Sequence, residues 1–284
     1  MTYASPGTRR RMKHKKASDA YQLHSIFPTI QGEGSFKGMP SLFVKFAHCN
    51  LNCSFCDTDF SFKESISEGE LISRIGNGLV DHKLRHIVFT GGEPMIQLNR
   101  EFIERIRKEL NEFVPGRHLT IQIETNGCFD ISPSPLFEDR SDLYIEEIES
   151  NCLFGSAFLR MHPYLFVTCS PKYRETNRGW QDIHLSACHE LKLVISKDTT
   201  LAEVKEVEKQ FTTPSQFGRC ILSSSYFTPE AKYLSPEMPP DAKVVSEIDL
   251  NKLPSFGRAL ILLRELGGHG WRLSLQDHKV WGCD

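Results

Sequence analysis

Three cysteines, Cys49, Cys53 and Cys56, fall within eight positions of the segment HCNLNCSFCDTDF, residues 48–60. Thiols crowded this closely are metal ligands or redox groups before anything else. A structural zinc site wants four ligands closed into a tetrahedron, and here the fourth would be His48 or a distant residue. A redox pair uses Cys53 and Cys56 but leaves Cys49 idle. An iron–sulfur cluster on three thiolates uses all three and leaves one iron open for a small-molecule ligand. The spacing C-x3-C-x2-C suits this last chemistry best, because a loop of that length wraps three corners of a cubane. The aromatic Phe55 stands one place before the last cysteine.

Two further segments follow apolar runs that read as strands, which places them at strand carboxyl ends. In Thr90-Gly91-Gly92-Glu93-Pro94 the glycines would let the backbone approach a ligand closely. A plain strand-to-helix turn is the alternative. Ser170-Pro171-Lys172 stands in the same relation to its strand. Glu124 and Asn126 in IETNG either line a cavity or make a turn. Asp57-Thr58 either caps the cysteine loop or supplies one oxygen to Mg²⁺, which keeps several waters and accepts substrate oxygens.

The cysteine spacing is that of the radical S-adenosylmethionine enzymes. In chain order, SIFPTIQGEGSFKGMPSLFVKFAHCNLNCSFCDTDF, TGGEPM, IETNG, SPK, ELKLVI and RLSLQDHKVWGCD together resemble the 7-carboxy-7-deazaguanine synthase family. The resemblance runs from about Ser25 to the C-terminus, with 132–161 outside it. QGEG, CDT and the ending QxHK are far more specific to that family than the cysteines alone.

The resemblance implies an α/β fold, an incomplete (β/α)6-type barrel of mainly parallel strands. It implies a [4Fe–4S] cluster on Cys49, Cys53 and Cys56, S-adenosylmethionine on the open iron, and Mg²⁺ at Thr58. The chemistry is then carried by the cofactor rather than by a catalytic side chain. A 5′-deoxyadenosyl radical takes hydrogen from carbon 6 of 6-carboxy-5,6,7,8-tetrahydropterin, the ring contracts with loss of ammonia, and the product radical retakes hydrogen to regenerate the cofactor. Phe55, Asp57, Gly92, Glu93, Glu124, Ser170, Pro171, Lys172 and Ser223 are the implied cofactor contacts. Ile30, Gln31, Gly32, Glu33, Lys45, Thr90, His278 and Asp284 are the implied substrate contacts, with Lys279 beside His278 in the C-terminal motif. Gln31 and Glu33 suit a pterin edge, since an amide both donates and accepts and a carboxylate accepts from amino and ring N–H groups. An exposed turn flanked by glycines is the alternative for them, and a surface position is the alternative for His278.

Two positions depart from the family pattern. Lys45 stands where an arginine is usual, keeping the charge without the planar fork that grips a carboxylate. Ser223-Ser224-Ser225 replaces a Gln-Pro pair near the cofactor.

The elements that must position these residues alternate along the chain. Apolar runs at Pro40–Phe46, Arg85–Thr90, His118–Ile123, Tyr164–Thr168, Glu190–Ile195, Arg219–Leu222 and Trp271–Leu275 predict buried strands. The Ile30–Gly34 segment precedes the first of them. Helical spacing predicts a helix over Leu98–Phe113, a capping box of Thr200 and Glu203 opens another to about Phe211, and a third covers about Ser255 to Leu266 and stops at Gly267-Gly268. Such alternation implies βαβ units in a sheet of about six parallel strands, with the chemistry at the strand carboxyl ends.

Residues 1–18 carry six basic residues and no acid and read as a disordered tail. One domain spans 19–284, with an excursion at about 132–161 that is rich in proline and acidic residues. The chain has 284 residues and net charge −2, so no whole-protein field gathers nucleic acid or an anionic membrane. Direct nucleic-acid binding is not expected. No apolar run approaches the ~20 residues of a membrane helix and no secretory signal opens the chain, so the cytoplasm is the expected location. Nine cysteines, an odd count at irregular spacing, fit reduced thiols. A homodimer and an external flavodoxin- or ferredoxin-like electron donor complete the expectation from the family. A glycyl-radical activating enzyme shares the cysteine spacing but gives no reason for QGEG, CDT and QxHK. A zinc module with a basic arm for nucleic acid is the reading from another class.

Overall fold

The computed structural model describes residues 20–56, 58–115, 119–129, 164–174, 179–180, 188–212, 231–236, 254–267 and 271–275. Strands β1 (Tyr21–Ile30), β2 (Pro40–Phe46), β3 (Glu64–Ile66), β4 (His86–Gly91), β5 (Thr120–Thr125), β6 (Leu165–Cys169), β9 (Glu190–Ile195), β10 (Ala231–Pro236) and β11 (Trp271–Leu273) form one sheet. Its order is β11-β10-β9-β6-β5-β4-β2-β1-β3. From β2 to β11 every neighbouring pair is parallel, while β1 runs antiparallel to both β2 and β3. A separate hairpin joins β7 (Tyr173–Arg174) to β8 (Gly179–Trp180). The sheet is α/β and mainly parallel, and its two edge strands do not pair with each other, so the barrel is incomplete.

Four helices accompany the sheet among the described residues: α1 (Glu68–Asp81), α2 (Arg100–Phe113), α3 (Leu201–Thr212) and α4 (Pro254–Glu265). Each of the first three opens on a side chain that satisfies a backbone N–H left over in the first turn. Ser67 accepts from Glu70 N at 3.2 Å and Asn99 from Phe102 N at 2.8 Å. Thr200 and Glu203 form the expected reciprocal box: Glu203 N donates to Thr200 Oγ1 and Thr200 N to Glu203 Oε2. Gly267 ends α4 with φ +62°.

Alternation along the central strands sends apolar side chains to the helices and polar ones to the concave face. Leu42, Val44, Phe46, Ile87 and Phe89 lie in one buried cluster with Leu71, Ile75 and Leu79 of α1 and Phe102, Ile103 and Ile106 of α2. Tyr21 anchors β1 there, its ring centroid 4.9 Å from Phe102 and 6.2 Å from Phe46. Truncating one of these large side chains to alanine costs about 2–5 kcal/mol. Cys169 and Cys188 are fully buried members of the same core, as expected of small apolar residues.

Three expectations change. The first strand is β1, not β2, so Ile30 ends a strand and Gln31 to Met39 is the loop of a β1–β2 hairpin. The parallel run contains seven strands among the described residues (β2, β4, β5, β6, β9, β10 and β11) rather than about six. Helix α1 is an element that the sequence reading left out. The expected strand at 219–222 and the 132–161 excursion lie outside the described residues. No helix among the described residues is long and apolar enough to cross a membrane.

Candidate active site

The cysteine loop leaves the carboxyl end of β2. His48 takes φ +70°, uncommon for a residue with a side chain, and its N–H donates to Phe60 O at 3.0 Å, closing the loop on itself. Its ring stacks on Phe62. Within the loop, Leu51 N donates to Cys49 Sγ at 3.4 Å and Cys56 N to Cys53 O at 3.2 Å. Burial pushes the Cys49 thiol up, and charge on Glu93, Cys53 and Cys56 pushes the same way. Ionisation of Cys49 is therefore disfavoured until a cationic centre takes the thiolate. No three His, Cys, Asp or Glu among the described residues converge on a single ion. A cubane takes each thiolate on a separate iron, so three thiols spread along one loop fit that group.

The loop after β4 packs directly on the cysteine loop. Gly92 N donates to Phe46 O at 3.0 Å and Glu93 N to His48 O at 2.9 Å. A Cβ on Gly92 would overlap the His48 carbonyl, and one on Gly91, at φ +110°, would meet Phe46 O at 2.5 Å. The close approach made by these glycines is thus to the chain's own backbone. The Glu93 carboxylate, fully buried, accepts from Thr125 Oγ1 and Asn126 N at 2.7 Å and from Met95 N at 3.0 Å. Burial raises its pKa to about 7 against the lowering effect of those bonds. Asn126 Nδ2 in turn donates to Asn50 Oδ1 at 2.8 Å, so the β5 end grips the cysteine loop. After β6, Ser170 N donates to Thr125 O and Lys172 Nζ to Ser170 Oγ at 2.8 Å.

Below this rim, the concave face carries a polar row. Register pairs Ser25 with Lys45, Lys45 with Thr90, Glu124 with Thr168, and Thr168 with Glu190. Thr90 Oγ1 bridges the row to Glu124 Oε2 at 3.0 Å. The 31–39 loop enters from the opposite edge, beside the amino end of β2. Gln31 Nε2 donates to Glu124 Oε1 at 3.0 Å and Gln122 Oε1 at 3.1 Å, while Glu33 pairs with Lys192. Ser35 N donates to Glu190 Oε2 at 2.8 Å and Gly34 N to Ser274 Oγ at 3.3 Å, fastening the loop across the sheet.

The expected residues fall into two groups. Cys49, Cys53, Phe55, Cys56, Thr58, Gly92, Glu93, Ser170, Pro171 and Lys172 lie on loops at the carboxyl ends. Gln31, Gly32, Glu33, Lys45, Thr90 and Glu124 belong to the concave face or the loop folded against it. Lys172 joins the groups: burial and Lys192 push its ammonium pKa down, while Cys53, Glu33 and Cys56 oppose this. Ile30 pairs with Pro40 in the hairpin. Asp57, Ser223, His278, Lys279 and Asp284 lie outside the described residues. Four interior residues escaped the sequence reading: Gln122, Thr168, Glu190 and Lys192. The available signal was polar residues two apart inside apolar strands, TIQIET and ELKLVI.

The pattern of the Radical SAM superfamily matches residues 43–135. The 7-carboxy-7-deazaguanine synthase of Aquifex aeolicus is 31% identical over 198 residues, covering 70% of this chain and 75% of that protein. That of Rickettsia prowazekii is 30% identical over 183 residues, covering 62% of each. The crystal structure of QueE from Escherichia coli superposes with a TM-score of 0.55 at 20% identity, over 90% of this chain and 93% of that one, a likeness of fold.

Proposed function

Because the chain belongs to the 7-carboxy-7-deazaguanine synthase family of the radical S-adenosylmethionine superfamily, we propose that it converts 6-carboxy-5,6,7,8-tetrahydropterin into 7-carboxy-7-deazaguanine. Ammonia is the leaving group, and the product feeds queuosine or another 7-deazapurine. The observation that carries this reading is the polar interior beneath the cysteine loop, where Gln31, Glu33, Lys45, Thr90 and Glu124 present donors and acceptors on one concave face. A small heterocycle with both donors and acceptors on its edge fits such a surface.

Cys49, Cys53 and Cys56 would hold a [4Fe–4S] cluster, which together with S-adenosylmethionine would supply radical chemistry for removing hydrogen from the pterin. The chain's part is to bind, orient and exclude water. Gly92, Glu93, Ser170, Pro171 and Lys172 form the rim on the cofactor side, with Phe55 within the cysteine loop. Glu124 stands between the groups, accepting from Thr90 and Gln31. Gln31 and Glu33 read the pyrimidinone edge, and Lys45 meets the pterin carboxylate. Thr58 would hold Mg²⁺, which would polarise the substrate carboxylate. The protein works as a homodimer with a flavodoxin- or ferredoxin-like donor.

The test is turnover by protein purified without oxygen, after iron and sulfide have been counted. Conversion of 6-carboxytetrahydropterin to the deazaguanine acid, dependent on S-adenosylmethionine and reductant and stimulated by Mg²⁺, is the expected result. Cleavage of S-adenosylmethionine with the pterin left intact overturns the substrate.

A further inference from the structure

Lys192 projects from β9 into the interior of the sheet, where its ammonium group pairs with the Glu33 carboxylate from the 31–39 loop. Each side chain is only 10% exposed. Burial by itself pushes the Lys192 pKa down, but the charges of Glu33, Glu124 and Glu190 prevail and raise it above the ordinary lysine value. One ammonium group therefore serves three carboxylates drawn from the loop, β5 and β9.

We propose that Lys192 is a positioning residue that holds the Glu33 carboxylate as an acceptor toward the aminopyrimidinone edge of the pterin. This rests on the reading that a 6-carboxypterin is the substrate. Among the described residues, Glu33 pairs with Lys192 from β9 and interacts electrostatically with Lys172 from the segment after β6, while Glu124 from β5 and Glu190 from β9 act on the same Lys192 ammonium. Without Lys192, Glu33 shares a poorly solvated interior with two other carboxylates, and like charges there favour the protonated acid. A protonated Glu33 presents an O–H where the ligand's amino and ring N–H groups already donate. Recognition then fails although no group that touches the ligand has been replaced. Lys172 donates to Ser170 Oγ rather than pairing with Glu33 as Lys192 does, and burial disfavours its charged form.

The experiment measures binding of 6-carboxypterin, a fluorescent oxidised analogue, to cluster-loaded protein with S-adenosylmethionine under anaerobic conditions. Wild type, Lys192→Met, Lys192→Arg, Glu33→Gln and the Met/Gln double variant are compared across a neutral to mildly alkaline range of pH. Lys192→Met should bind about tenfold more weakly at the low end of the range and recover as pH rises and Glu33 ionises. Lys192→Arg should bind as wild type does. In the Glu33→Gln background, Lys192→Met should add no further loss. Additive losses in the double variant, or an equal loss at every pH, overturn the inference. Iron and sulfide content shows whether each variant has folded, and Lys192→Gln takes the place of Lys192→Met if that variant does not. Wild type that fails to bind 6-carboxypterin sinks the substrate reading as well, whereas binding with additive losses sinks only the role of Lys192.

Discussion

The carbonyl oxygen of His48 occupies the space that a side chain at Gly92 would need, and the Glu93 amide donates to that same oxygen at 2.9 Å. Two loops from neighbouring strands thus meet backbone to backbone, and the shape of the cysteine loop depends on the glycine opposite it. Gly92→Ala must drive them apart, an overpacking that costs about 1–3 kcal/mol. The expected outcome is a lower urea midpoint and fewer irons per chain. Unchanged iron content would show that the cysteine loop does not depend on this contact.

Gly34 makes the corresponding contact at the other edge. Its φ is +67°, and a Cβ there would meet the Glu190 carboxyl carbon at 2.8 Å. Gly34→Ala carries about 1 kcal/mol of left-handed strain and must displace the carboxylate to which Ser35 N donates. Pterin affinity should fall while iron content stays at the wild-type value. The two glycine variants therefore separate the interior from the rim, and a loss of iron in Gly34→Ala would deny that separation.

His86 opens β4 fully buried, its Nδ1 2.7 Å from Ser41 Oγ and its ring 4.5 Å from Phe36. Ser41 Oγ donates to Met39 O, so Nδ1 carries the proton donated to Ser41. Nε2 has no hydrogen-bond partner among the described residues. Burial lowers the His86 pKa from 6.5 to about 4. The unfolded chain then binds the extra proton between those values, so stability is full above about pH 6.5 and falls as pH drops toward about 4. His86→Phe, which keeps the ring, should flatten that part of the difference curve in denaturant midpoints. A difference from wild type that stays constant with pH would contradict the neutral buried form.

Lys45 Nζ lies 5.2 Å from the centroid of Phe27, on the face shared with Thr90. An ammonium group binds a carboxylate as a point charge, whereas a guanidinium grips both oxygens in plane. Lys45→Arg should lower KM for the carboxypterin several-fold with kcat little changed. A rise in KM would mean that the lysine is matched to a geometry the fork cannot enter.

Local order was legible where the signal is local. Strands β2 and β9 occupy the residues their apolar runs predict, and the Thr200–Glu203 box forms as its spacing implies. Helix α1 escaped because Gly69, Gly76 and Gly78 and the Asn77 between them lower its propensity. Two of those glycines answer to neighbours far along the chain: a Cβ on Gly76 would strike the Phe113 ring at 2.5 Å, and one on Gly78 would press on Leu42 at 3.0 Å. Strand β1 escaped because Pro28 interrupts its pattern. Proline is tolerated there because β3 pairs only with Tyr21 to Leu23, leaving that stretch of β1 at the sheet edge.

The three thiols, their spacing and the ordered motifs around them were determined by the sequence alone, since a ligand set carried on one short loop is a property of neighbouring residues. The interior was decided by tertiary structure. Glu33 and Lys192 are 159 positions apart, and Gln31 and Glu124 are 93 apart. Before the sheet forms, each is an ordinary polar residue in a loop or strand. Parallel register and the alternation of side chains across strands turn Glu124 and Lys192 to one face, and the hairpin loop lays Gln31 and Glu33 against it. Only there, out of water, does a lysine acquire three carboxylates to serve.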